Sequence, residues 1–137
     1  MSIFSSLFSS KASAQPSGKK ELVYLMGIAK FQIEIVRDEH YQTTLEAIAG
    51  PRRPQGINCY ETASLILEGQ NSVRVEIQGK QVGYLNSETS SLFRQQLISR
   101  GMPKGVGQCA AVIRGGSVSS GGRASPYKVW LDLPTLS

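Results

Sequence analysis

The sequence predicts a mainly β fold with two helices: a small, strongly bent sheet or partly open barrel of about six strands, with the helices on its ends. Three observations predict it. Most apolar stretches are short, alternate with period two and stop at turn-forming residues, as in SVRVEIQ at 72 to 78. From residue 21 on, two segments carry apolar residues at helical spacing behind a residue able to cap, one after Asp38 and one after Asn86. A chain of 137 residues, 40% hydrophobic and 18% charged, suffices for one core and not for two.

Each element has its own reason. LVYLMGIAK, residues 22 to 30, reads as strand with Gly27 as a kink or bulge. FQIEIV follows as strand, with Phe31, Ile33 and Ile35 on one face and Gln32 and Glu34 on the other. Asp38 is placed to cap a helix bearing Tyr41, Leu45 and Ile48, which Gly50-Pro51 stops. RRPQG, 52 to 56, is a loop, CYETASLIL, 59 to 67, a strand, and EGQN, 68 to 71, a tight connection.

SVRVEIQ sends Val73, Val75 and Ile77 to one face and Arg74 and Glu76 to the other. Gly79-Lys80 is the expected two-residue turn, because glycine accepts positive φ, and QVGYL returns as the partner strand. QVGYL runs straight into the second helix. Asn86 or Ser87 caps it, Glu88 suits its first turn, and Leu92, Phe93, Leu97 and Ile98 form an apolar face ending near Gly101. Gly83 marks a place where something approaches the backbone closely. GQCAAVIR, 107 to 114, and PYKVWLDL, 126 to 133, are the last strands; the Gly/Ser segment between them is too long for a tight hairpin and is expected to be mobile.

The chain divides into a flexible tail, 1 to 20, and one folded domain, 21 to 137. SKASAQPSGKK is small and polar, a linker composition. Before it, Ile3, Phe4, Leu7 and Phe8 recur at helical spacing. They read as a frayed terminus or as a short segment, residues 3 to 8, that docks on a protein partner or, weakly for want of a lysine, on a membrane. The net charge is +5, but Lys11, Lys19 and Lys20 lie in the tail, where there is no acid, so the remainder carries +2. That permits nucleic acid without the clear basic stripe of a dedicated duplex binder.

No apolar run approaches the ~20 residues of a membrane span and no secretory pattern opens the chain, so no transmembrane segment and a cytoplasmic setting are expected. Cys59 and Cys109 form no CxxC pair and the single histidine, His40, is distant from both in sequence. A lone disulfide or two free buried thiols in a reducing cytosol fit this pair, of which free thiols are the expectation, with no metal and no other cofactor.

The sequence lacks a GxSxG elbow, an HExxH helix and a GxxxxGK[ST] phosphate loop. Asp38, Glu39 and His40 are adjacent, but side chains so placed fan out around a helix start. The reading is non-enzymatic. Five tyrosines and one tryptophan sit in or beside predicted strands. On a β surface such aromatics stack bases while Arg or Lys take phosphates, and they serve equally as packing.

In order, DEHYQTTLEAIAG, NSVRVEIQGKQVGYLNSE, CAAVIRGG and YKVWLDL resemble a HIRAN domain of the free-standing bacterial type, over roughly residues 21 to 134. The resemblance implies an OB-like or SH3-like β-barrel with two helices. It also implies a nucleic-acid-binding module, for single-stranded DNA or DNA ends, in which tyrosines stack on bases and polar residues hold the terminal hydroxyl and phosphates. Transferred position by position, it gives Tyr41 and Tyr84 as stackers. Asn71 becomes a sugar or phosphate contact, Arg74 an electrostatic aid, Ser87 the residue at the second helix start, and His40 the neighbour of Tyr41. Apart from the resemblance, Arg74, Arg52, Arg53 and Lys104 read either as a sequence-independent electrostatic grip or as solvated surface charges. The family's Asp-Asn-Pro-Tyr-Asp-Pro-Asn-Ala-Val loop is shortened here to EGQNSV, which implies a weakened 3′-end pocket. The alternative is a protein–protein interaction module on the same scaffold.

Overall fold

Alternation decides the architecture. The computed structural model describes residues 21 to 134. The chain runs β1 (Leu22–Tyr24), β2 (Ile33–Glu34), a 3₁₀ turn (Asp38–Tyr41), α1 (Gln42–Ala49), β3 (Ile57–Glu68), β4 (Ser72–Ile77), β5 (Lys80–Tyr84), α2 (Ser87–Ser99), β6 (Val106–Gly115) and β7 (Tyr127–Asp132). The expected tail, 1 to 20, lies outside the described residues. Six strands form one antiparallel path in the order β2-β7-β6-β3-β4-β5, and β1 lies parallel to the start of β6. The fold is mainly β with two helices, as expected.

The sheet curls strongly, and the curl is what builds the site. Val36, two residues past β2, exchanges two backbone hydrogen bonds with Tyr84 of β5, at 2.8 and 2.9 Å, while Ile35 still donates to Val129 of β7. One short stretch thus touches both ends of the sheet. Gly83 makes this possible: a Cβ there would run into the Val36 carbonyl oxygen and the Ile35 side chain. The close approach expected at Gly83 is made by backbone.

Inside the curl lie the residues that alternation sends inward: Leu65 of β3, Val73, Val75 and Ile77 of β4, Val82 of β5, Ala111 and Ile113 of β6, and Tyr127, Val129 and Leu131 of β7. α2 closes this core with Phe93 and Leu97, and α1 with Leu45. Each such side chain contributes roughly 1.5–3 kcal/mol by leaving water. Asn86 caps α2, its Oδ1 accepting from the Thr89 N–H at 2.8 Å.

The structure differs from expectation at several places. Strand 22 to 36 breaks into two short pieces, with Ala29 and Phe31 at positive φ between them. Phe31 therefore leaves the face of Ile33 and Ile35 and packs edge-to-face on Tyr60, centroids 5.6 Å apart. Asp38 does not cap: it starts the 3₁₀ turn with its side chain buried. The β4–β5 turn is Gln78-Gly79, both at positive φ, and Lys80 already pairs with Ile77. Ile98 is exposed rather than on the apolar face of α2. The Gly/Ser loop folds on itself, with Ser119 bonded to Arg123, Ser117 to Ser125, and a bridge between Val118 and Ala124.

Candidate functional site

The seam where Val36 meets Tyr84 opens into a cleft of about 210 Å³. It draws residues from four parts of the chain: Val36 and Arg37 after β2, Asn71 and Ser72 at the β3–β4 turn, Tyr84 at the end of β5, and Ser87 and Ser90 in the first turn of α2. The volume lies below the several hundred Å³ typical of small-molecule pockets, so it suits one ring or one phosphate.

Local rules position each group. Residues 72, 74 and 76 point out of the curl because 73, 75 and 77 point in, so Arg74 stands outside beside its cross-strand partner Tyr84. A bulge between Val75 and Glu76 sets that register. Arg37 takes φ 63, a left-handed conformation uncommon for a residue with a side chain. This turns its guanidinium over the Tyr84 ring, 5.1 Å from the centroid. From α2, Arg94 Nη2 donates to the carbonyl oxygens of Glu68, Gly69 and Ser72, at 3.2, 3.0 and 2.7 Å, and clamps the turn that carries Asn71.

The electrostatics are mixed. Tyr84 donates its hydroxyl to Glu68 at 2.8 Å, and Arg74 pairs with Glu68 at 3.1 Å and Glu76 at 2.8 Å. The Tyr84 hydroxyl first, then Arg74, hold the Glu68 carboxyl below the usual carboxylate range, against an opposing desolvation. Arg74 is thus neutralised from both sides. Arg37 makes no ion pair within 4.0 Å among the described residues. The helix start contributes a further partial positive charge at Ser87.

Of the sequence-derived candidates, Asn71, Tyr84 and Ser87 meet in the cleft and Arg74 stands at its rim. Tyr41 and His40 do not line it. Tyr41 is the half-buried residue before α1, and His40 is an exposed partner of Glu39 at 3.5 Å. Arg52 lies elsewhere, stacked on Tyr127 at 4.9 Å, and Arg53 bridges Ser117.

Sequence reasoning missed Arg37 and Arg94. Arg94 had a signal: 87, 90 and 94 share one helix face. Arg37 had none, because its place depends on a left-handed backbone that no local rule gives to arginine.

Beside the cleft, Asp38, Glu34, Glu39 and Lys128 line a second, polar hollow with Arg37. Lys128 reaches Glu34 at 3.4 Å and Asp38 at 3.9 Å, while Asp38 Oδ2 is buried without a hydrogen-bond partner. Burial raises the Asp38 pKa, opposed by Lys128 and aided by Glu34.

Nothing among the described residues resembles an activated nucleophile. Cys59 and Cys109 are free; burial pushes the Cys109 thiol up to about 12, and burial and then Glu61 raise Cys59. No group of three or more His, Cys, Asp or Glu among the described residues is arranged to hold a metal. No described helix is long and apolar enough to cross a membrane. The chain matches no protein-family model, no curated protein and no solved structure.

Proposed function

We propose that this domain is a non-catalytic nucleic-acid-binding module that takes single-stranded DNA, or a DNA end, in the Arg37–Tyr84 cleft. The observation that carries the reading is a guanidinium, without an ion pair among the described residues, laid over the half-buried Tyr84 ring in a cleft lined by Asn71, Ser72, Ser87 and Ser90. A phosphate suits Arg37 and the α2 start. A base stacks on the guanidinium plane or displaces it from the tyrosine ring. The resemblance to HIRAN domains supports the same surface, and the free thiols support a cytoplasmic setting.

Binding is expected to be weak. Glu68 cancels Arg74 and occupies the Tyr84 hydroxyl, so about two phosphate contacts remain, and log affinity falls with log salt with a slope near −1.4. Fluorescence anisotropy with short single strands, ending in a 3′-hydroxyl or a 3′-phosphate, at two salt concentrations, tests this. Arg37→Ala is expected to lower affinity about fivefold or more and to flatten the salt slope by about one phosphate's share. A hydroxyl preference supports end recognition, equal binding supports a backbone contact, and no binding at either salt rejects the proposal.

A protein–protein interaction module is the second reading. One observation favours it: Leu22, Tyr24, Met26 and Ile28 are exposed together at the start of the domain. If that face binds a separate protein or a second copy, the oligomeric mass of the pure protein or its complexes depends on these side chains and not on Arg37.

A further inference from the structure

We propose that the chain's own segment Ile3–Phe8 covers the apolar outer face of β1, β3 and β6 in cis, inserting into the groove between Tyr24 and Met26. This stands apart from the DNA reading and survives if the cleft binds nothing.

Register sets this face, and its apolar side chains stand among the small or uncharged Gln108, Ser64 and Thr62. Tyr24 lies beside Gln108, which pairs with Ser64; Ala110 pairs with Thr62, and Val112 with Tyr60. All these positions share one side of the sheet because they stand two apart. Between them runs a groove of about 280 Å³ lined by Tyr24, Met26, Thr62, Gln108 and Ala110, with Asp132 at one end. Asp132 is buried, and its Oδ1 already accepts from the Ala29 N–H at 2.9 Å. The one charged group of the lining is thus turned to the backbone and buried at the end of the groove.

The exposed side chains are held outward. Met26 is 82% exposed, Ile28 78%, Tyr24 71% and Tyr60 64%. Gly27 between the first two sits so close to Asp132 and the Leu133 carbonyl that no Cβ fits, and Ala29 is tied to Asp132. Phe31 is pinned on Tyr60. Met26 and Ile28 are thus presented by anchored backbone. Among the described residues, only Val36 and Ile98 are exposed large hydrophobics away from this region. A cluster of this kind marks an interaction site.

The tail fits as occupant by chemistry, reach and concentration. Ile3, Phe4, Leu7 and Phe8 are apolar, and no charged side chain stands before Lys11. The chain is fixed at Glu21, whose carbonyl accepts from Val106 at 2.8 Å, directly beside the face. Residues 9 to 20 span at most about 40 Å when extended, enough to turn back over it. A tether of this length keeps a local concentration on the order of millimolar, so a contact too weak to hold a separate molecule is filled in cis.

Photocrosslinking in the full chain tests this, with p-benzoylphenylalanine in place of Phe8. Irradiation of mixed ¹⁵N-labelled and unlabelled protein is followed by mass spectrometry of the crosslinked peptides. The expected product has monomer mass and joins position 8 to the peptide holding Tyr24 and Met26. The double substitution Tyr24→Ser, Met26→Ser is expected to reduce its yield about fivefold, with the melting transition still present. Mixed-isotope dimers would make a second copy the occupant and overturn the proposal. So would crosslinks scattered over the domain, or none.

Discussion

The cleft at Tyr84 and the face around Tyr24 belong to the same curled sheet and are finished in opposite ways. At the cleft nearly every polar group is answered: Arg74 by Glu68 and Glu76, the Tyr84 hydroxyl by Glu68, the turn carbonyls by Arg94. Two cations there are left without an ion pair among the described residues: Arg94, whose Nη2 is spent on the turn carbonyls and whose Nε is buried without a partner, and Arg37, which lies over the Tyr84 ring. At the β1 face the polar group is answered, Asp132 by Ala29, and the apolar side chains are left over. A surface is read most directly from what it leaves unsatisfied, since unpaired charge and exposed apolar area are the terms a ligand can relieve. One surface asks for an anion and the other for hydrocarbon.

The largest expected effect comes from breaking the seam that makes the cleft. In Gly83→Ala the new methyl meets the Val36 carbonyl and the Ile35 side chain. Overpacking of this kind costs about 1–3 kcal/mol, or several degrees of melting temperature. Single-strand binding should fall with it, while the crosslink from position 8 persists, because the β1 face does not use the seam. Loss of both together would mean that the two surfaces are not independent.

Glu68→Gln sharpens the contrast from the other side. It removes one of the two carboxylates paired with Arg74, leaving Glu76 at 2.8 Å, and takes a negative charge away from the Tyr84 hydroxyl, so single-strand affinity at low salt should rise on the order of a few-fold, and the salt slope should steepen. An unchanged affinity alongside a working cleft would mean that Arg74 is too far from the bound strand to matter.

Much of this was legible in the sequence where period and cap are local. SVRVEIQ gave the in-and-out faces of β4, Asn86 the start of α2, and Gly50 the end of α1. Tyr84 and Asn71 are named only by the resemblance to HIRAN domains, and the structure brings them to one cleft. What was not legible depends on long-range closure. The curl that sets Val36 against Tyr84 needs Gly83 and the break of the first strand at Ala29 and Phe31, both at positive φ against their local preference. Because that break was unreadable, Phe31 was assigned to the wrong face, Asp38 was read as a cap, and Arg37 was overlooked. The exposure of Met26 and Ile28 was hidden for the same reason: a strand of their composition is ordinarily buried.

The smallest expected effect tests the wall on the other side of Arg37. Two carboxyls, Glu68 at the cleft and Asp38 in the hollow beside it, are shifted in opposite senses. Glu68 is lowered from 4.5, so it adds stability above the unfolded value that is lost as pH falls through the folded one. Asp38 is raised from 3.8, chiefly by burial, so the folded state holds its proton more tightly than the unfolded chain does. Its contribution is most favourable at low pH and is lost as pH rises from about 3.8 through the higher folded value. Near neutral pH the buried, half-answered carboxylate is a net cost. Asp38→Asn should therefore raise the melting temperature at pH 7, by less than Gly83→Ala lowers it, since Lys128 keeps Glu34 at 3.4 Å. It should also steepen the acid loss of stability, because the group that offsets Glu68 there is gone, whereas Glu68→Gln should flatten it. A melting temperature at pH 7 that falls in Asp38→Asn would show that the attraction to Lys128 outweighs burial, and that the hollow beside the cleft holds its charge for stability.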